Sequence, residues 1–165
     1  MSTASRRTLL AIVAAAVVAA AVAVAGCGSS YGGSASTAAP ASPGAGASVG
    51  VASTKLGKVL VDAHGRTLYL FEADKSGMSN CAGACASVWP PLATTGKPKA
   101  AAGVDAAKLG TTKRADGSSE VTYNGHPLYT YAGDTARGQT TGQGLDDFGA
   151  EWYVLSASGN KIDNS

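Results

Sequence analysis

The chain contains one seven-residue strand pattern twice, and that duplication constrains the fold more than any other feature. Leu68-Tyr69-Leu70-Phe71-Glu72-Ala73-Asp74 and Leu128-Tyr129-Thr130-Tyr131-Ala132-Gly133-Asp134 match position by position at an offset of 60. Each has Leu, then Tyr, an aromatic two residues on, and Asp five after the Tyr. Each copy also follows a hairpin signal. Val59-Leu60-Val61 runs through Asp62-Ala63-His64-Gly65 into the first, and Val121-Thr122-Tyr123 runs through Asn124-Gly125 into the second. Asn-Gly suits a tight hairpin because both residues accept the positive φ of a type I′ turn. A polar loop and a tryptophan follow each copy, Trp89 after the first and Trp152 after the second.

Strand side chains alternate between faces, so Leu68 and Leu70 point one way while Tyr69 and Phe71 point the other; Leu128 and Thr130 alternate with Tyr129 and Tyr131 in the second copy. Two largely apolar faces suit strands covered on both sides. The expected architecture is an all-β or mainly β domain in which two tandem antiparallel β repeats pack as one unit, with both tryptophans in the core. Gly103 to Gly110 predicts one or two helical turns between the repeats, closed by Gly110.

The N-terminal part follows a different logic. Arg6 and Arg7 precede an apolar run from Leu9 to Val24 that ends in Val24-Ala25-Gly26-Cys27. A positive start, an apolar stretch and small residues before a cut are the parts of a secretory signal, and a cysteine at the cut is where a lipid is attached. The run has 16 residues, short of the ~20 that cross a bilayer core. The expectation is a signal peptide over 1–26 and a lipidated Cys27, by the twin-arginine or the general secretory route. Gly28 to Ser53 carries no charge and is made mostly of Ala, Gly, Ser, Thr and Pro, so 27–53 reads as a disordered tether. Residues 54–165 remain as the domain, with repeat 1 at about 54–95 and repeat 2 at about 111–160.

Arg6 and Arg7 account for the formal charge of +2, leaving 11 basic against 11 acidic residues. A neutral mature chain with no basic stripe excludes the electrostatic footprint of a nucleic-acid binder. The membrane, reached through a lipid on the extracytoplasmic side, is the expected partner; a protein or small-molecule partner is unspecified.

On the two copies of Tyr-x-aromatic-x-x-Asp, Cys81-Ala82-Gly83-Ala84-Cys85 ahead of Trp89-Pro90-Pro91, and Val121 to Tyr129, the chain resembles the bacterial secreted-repeat lipoproteins marked by a repeated Tyr-x-x-x-x-Asp motif. The resemblance covers roughly residues 56–155 and implies an exported, often lipid-anchored protein with no established biochemical role. It leaves function open.

Turn chemistry accounts for Asp74 and Asp134: each carboxylate can accept backbone N–H groups of the following loop, while Tyr69 and Tyr129 bury their rings and seek a partner for the hydroxyl. The sharper alternative is a ligand site shared by both Tyr and both Asp. With Cys27 lipidated, Cys81 and Cys85 form an even pair that an oxidising exterior favours as a disulfide. Reduced, the same pair with Met78 offers soft ligands of the kind that select copper, with His64 or His126 as a nitrogen donor. Gln143 to Asp147 is acidic and contains Gly, but lacks the ligand spacing of an EF-hand. No nucleophile elbow, zinc-protease helix or phosphate-cradling loop is present. The reading is a non-enzymatic envelope module that binds an unknown ligand or plays a structural part, with no cofactor; a copper or thiol-redox accessory using Cys81 and Cys85 is the alternative.

Overall fold

The computed structural model describes residues 46–163. The described chain is mainly β, in three small sheets of three strands each. Strands β1 (Ser48–Thr54) and β2 (Gly57–Asp62) form an antiparallel hairpin in which Val51 faces Leu60, and a later strand, β4 (Lys99–Ala100), adds to β1 in parallel. Between them in the chain come β3 (Tyr69–Phe71) and a five-residue helix, α1 (Ala84–Val88). The second repeat supplies β5 (Leu109–Lys113), β6 (Ser119–Tyr123) and the short β7 (His126–Pro127), then β8 (Leu145–Asp147) and β9 (Ala150–Val154). Strand β9 lies between β3 and β8, so the last strand of the second repeat completes the sheet of the first.

Strand β1 moves the start of the domain. The uncharged segment expected to stay a tether through Ser53 is a strand from Ser48, with Val49 fully buried. Composition underweights such a strand because Val49 and Val51 find apolar neighbours only when β2 pairs with them. The expected helical turns between the repeats are also reduced. A single 3-10 turn spans Ala106–Lys108, capped by the Asp105 carboxylate accepting from Ala107 N at 2.9 Å. Gly110 does not close it. That residue lies inside β5, where a Cβ would stand 2.8 Å from Thr122 Oγ1, so its place reflects close strand approach rather than a helix end. The one α-helix among the described residues is in the cysteine loop, where no helix was expected.

Both hairpins form where the turn residues predict. Asn124 and Gly125 have φ of 51° and 82°, and Leu128 N donates to Val121 O at 3.0 Å as Leu68 N donates to Leu60 O at 2.9 Å. The second motif copy, expected as a strand, is not one of its own but meets β3 through a single bridge, Tyr69 N donating to Tyr129 O at 2.8 Å and Tyr129 N to Tyr69 O at 3.0 Å.

The alternation of the motif segments sorts the core into two clusters. Tyr69, Phe71 and Tyr129 join Trp89, Trp152 and both Cys81 and Cys85, with Tyr131 packed against them. Leu68, Leu70 and Leu128 join Leu60, Val121, Tyr123 and Leu155 on the other side. Burying a large apolar side chain is worth about 1.5–3 kcal/mol, and most of these side chains come from segments far apart in the chain, so their burial requires both repeats.

Candidate functional site

The motif side chains do not pair within their own repeat. Tyr69 Oη donates to Asp134 Oδ2 at 2.6 Å, and Tyr129 Oη donates to Asp74 Oδ2 at 2.8 Å. The bonds cross between repeats because the two tyrosines sit side by side on bridged segments, while each aspartate lies past the end of its own. The second oxygen of each carboxylate pins the exit loop as turn chemistry predicts. Asp74 Oδ1 accepts from Asn80 N at 2.7 Å; Asp134 Oδ1 accepts from Thr141 N at 2.9 Å and from Thr141 Oγ1 at 2.6 Å. Both tyrosines are fully buried and Asp134 nearly so. Burial, foremost, pushes both phenols far above their ordinary range, and it raises Asp74 as well.

Between the crossed pairs the two tryptophans stack at 4.0 Å with planes 3° apart. Phe71 stacks on Trp152 at 4.1 Å and Tyr131 on Trp89 at 4.3 Å, while Tyr69 and Tyr129 meet Trp89 and Trp152 edge-on. The aromatic third residue of each motif therefore caps the tryptophan of the other repeat. Trp152 Nε1 donates to Asp147 O at 3.1 Å, whereas buried Trp89 Nε1 has no acceptor.

One buried network breaks the internal symmetry. Arg114 Nη1 donates to Glu120 Oε2 at 2.7 Å and also to Ser79 Oγ, and Arg114 Nη2 donates to Cys81 O. Ser79 Oγ lies 2.7 Å from Tyr129 Oη, so the relay runs from Arg114 through Ser79 and Tyr129 to Asp74. Glu120 is fully buried and its Oε1 has no donor; desolvation pushes its carboxyl up to about 7, against the pull of Arg114. The sequence reading missed this pair. Glu120 pairs across to Ala93 where Val59 of the first hairpin pairs across to Ser156, so an alignment of the hairpins as well as the motifs exposes a carboxylate in a valine's place.

The described residues also hold a cleft of about 830 Å³, bounded by the Asp62–Arg66 turn, the 92–95 segment and the turn joining β5 to β6. Asp62 is satisfied there by His64 N, Arg66 N and the Arg66 guanidinium at 2.7–2.9 Å.

A family model described as a secreted repeat of unknown function matches residues 50–93 and again residues 110–156. The chain belongs to this secreted-repeat family. No curated protein and no solved structure matches it. Each matched stretch of the family repeat contains one copy of the Tyr-x-aromatic-x-x-Asp motif, and the first ends just past Trp89 while the second ends just past Trp152. The protein is thus a secreted one by family, and no helix among the described residues is long and apolar enough to cross a membrane.

Within this secreted repeat the remaining residues singled out from sequence fall in separate places. Cys81, ahead of α1, and Cys85, within it, are joined as a disulfide at 1% and 6% exposure, so neither carries a free thiolate while the bond stands. Met78 is exposed on the loop ahead of them. His64 lines the cleft, whereas His126 is in β7 near Asp74. Among the described residues no group of three or more His, Cys, Asp or Glu side chains is arranged to hold a metal ion. Leu145, Asp146 and Asp147 of the acidic loop form β8. Cys27 and the signal lie outside the described residues.

Proposed function

We propose that the protein is a non-enzymatic binding module held at the outer face of a membrane by a lipid on Cys27. The observation that carries this reading is the crossed Tyr–Asp pairing. The signature side chains of both repeats occupy one another in the interior, 2.6 and 2.8 Å apart, and the raised phenol pKa values leave neither tyrosine able to act as a base or nucleophile near neutral pH. The motif builds a frame, and binding falls to the surface that the frame presents. Support for the anchor comes from Val24-Ala25-Gly26-Cys27 and the uncharged stretch after it. A spacer of such composition has a reach of roughly 5–6 Å times the square root of its length, enough to hold the domain off the headgroups.

Membrane fractionation with palmitate labelling tests the anchor. The wild type is expected in the membrane fraction with label, and Cys27→Ser without label and released. A Cys27→Ser protein that stays membrane-bound shows that an uncleaved apolar helix, not a lipid, does the anchoring.

A further inference from the structure

The internal duplication identifies what the cleft is shaped to receive. Corresponding backbone bonds place Leu60 opposite Leu155 at 2.9 Å and Val121 opposite Leu92 at 2.9 Å, so the segment after Leu155 occupies in one repeat the place that the segment after Leu92 occupies in the other. Between β2 and the Asn124 turn of the second hairpin that place is filled by the chain itself. Residues 156–160 form a turn closed by Gly159 N donating to Ser156 O at 2.9 Å, and its carbonyls face a ring of donors. Tyr123 Oη donates to Ala157 O at 2.8 Å, Asn124 Nδ2 to Gly159 O at 3.1 Å, and Lys108 Nζ to Ser158 O. A Cβ on Gly159 would stand 2.6 Å from Asn124 Cβ, which shows how closely the turn is seated.

Between β6 and the Asp62–Arg66 turn of the first hairpin no such turn forms. Thr94 Oγ1 instead accepts from Ala47 N at 3.1 Å and donates to Gly96 O at 2.7 Å, so the segment follows the wall, and among the described residues the cleft of about 830 Å³ is left open. Its apolar lining comes from Ala63, Leu92 and Ala93, and exposed His64 and Lys113 line it as well. Asp62 is the one carboxylate among the lining residues, and Arg66 neutralises it at 2.7 Å. Lys113 Nζ reaches only Gly117 O, at 3.3 Å.

We infer that this cleft docks a short acidic segment of a partner protein, seated as the chain's own 156–160 turn is seated on the other repeat. The carbonyl-rich turn next to Asn124 indicates a peptide occupant, and the uncompensated Lys113 sets the sign of its charge. The volume lies in the range of ligand sites, roughly 300–1,000 Å³. This inference rests on the binding reading above; the fractionation of Cys27→Ser reads the anchor independently, so either part can fail alone.

Panning a phage-displayed library of random short peptides against the full chain provides the test. The expected sequences are enriched in Asp and Glu, and the recovered peptides shift the backbone amide resonances of Ala63, Ala93 and Ser119. Their affinity should fall about tenfold or more, a change of about 1.4 kcal/mol, in a chain carrying His64→Glu and Lys113→Glu. The melting curve of that variant should match the wild type, because both side chains are exposed and in neither core cluster. The inference is overturned if no peptide is recovered, if recovered peptides lack acidic residues, or if the double substitution leaves affinity unchanged. Displacement of the peptide by acetate at the same concentration also overturns it, in favour of a small-anion site.

Discussion

Each Tyr–Asp bond has a charged acceptor and at least partial burial, a combination worth about 1.5–3 kcal/mol. Tyr69→Phe and Tyr129→Phe should each destabilise by about that amount in denaturant melts. Tyr69→Phe should cost more, because Asp134 is 6% exposed and keeps only its contacts to Thr141. Equal stability of both variants and the wild type contradicts the clasp. Glu120 gives the molecule a pH dependence of definite sign. Its folded-state carboxyl is pushed from 4.5 up to about 7, so protonation is favoured in the fold. The associated stability is fully present below about pH 4.5 and is lost as pH rises through about 7. Burial raises Asp74 in the same direction. Stability should therefore decline by up to about 3 kcal/mol from Glu120 across that window, and Glu120→Gln should flatten the slope. Melting temperatures measured against pH for both proteins decide the matter; identical slopes remove Glu120 as the cause.

At the scale of elements, the loop between Asp74 and Trp89 is the piece least able to hold itself. It contains Ser76 and Gly77 at positive φ, exposed Met78 and a helix of five residues, and it is held by Asp74, by Arg114 and by the disulfide. Cross-linking residues four apart closes a very short loop, so the disulfide's contribution sits near the low end of ~2–4 kcal/mol. Replacing both Cys81 and Cys85 by Ser should cost about 2 kcal/mol or less and raise hydrogen exchange in this loop before it does so in β6. Alkylation of the unreduced, unfolded wild type should find no thiol at these positions; two free thiols would refute the bond. The loop is not independent of the second repeat, because Arg114 at the end of β5 donates to Ser79 and to the Cys81 carbonyl.

At the scale of the whole domain, residues 46–163 are expected to unfold as one cooperative unit, because one sheet, β3-β9-β8, and both core clusters draw on both repeats. Strand β3 pairs with β9, and the stacked tryptophans come one from each repeat. Leu68→Ala and Leu128→Ala, both fully buried in the same cluster, should each cost about 2–5 kcal/mol. The double variant should depart from additivity by about 0.5 kcal/mol or more. A single transition in the wild type is expected; two, one per repeat, would show separate units.

Features that depend on near neighbours along the chain were legible before any fold was known. Asn124-Gly125 dictated its turn through positive φ, alternation at Leu68 to Phe71 dictated the two buried faces, and the spacing of the motif copies disclosed the duplication. The cysteine pairing was legible on parity, since Cys81 and Cys85 are the even pair that remains once Cys27 is set aside. What the tertiary structure alone decided involves residues far apart in the chain. That Tyr69 bonds Asp134 and not Asp74 follows from the pairing of the two motif segments, 60 residues apart, and no local pattern encodes which partner a hydroxyl meets. The strand at Ser48–Thr54 escaped a compositional reading because its stability resides in β2 and β4. Nothing local marks Glu120, whose role is set when folding places Arg114 Nη1 at 2.7 Å. The cleft is decided last of all: it exists because the segment after Leu92 leaves open a space that the 156–160 turn fills in the other repeat, a difference between two long-range packings of similar hairpins.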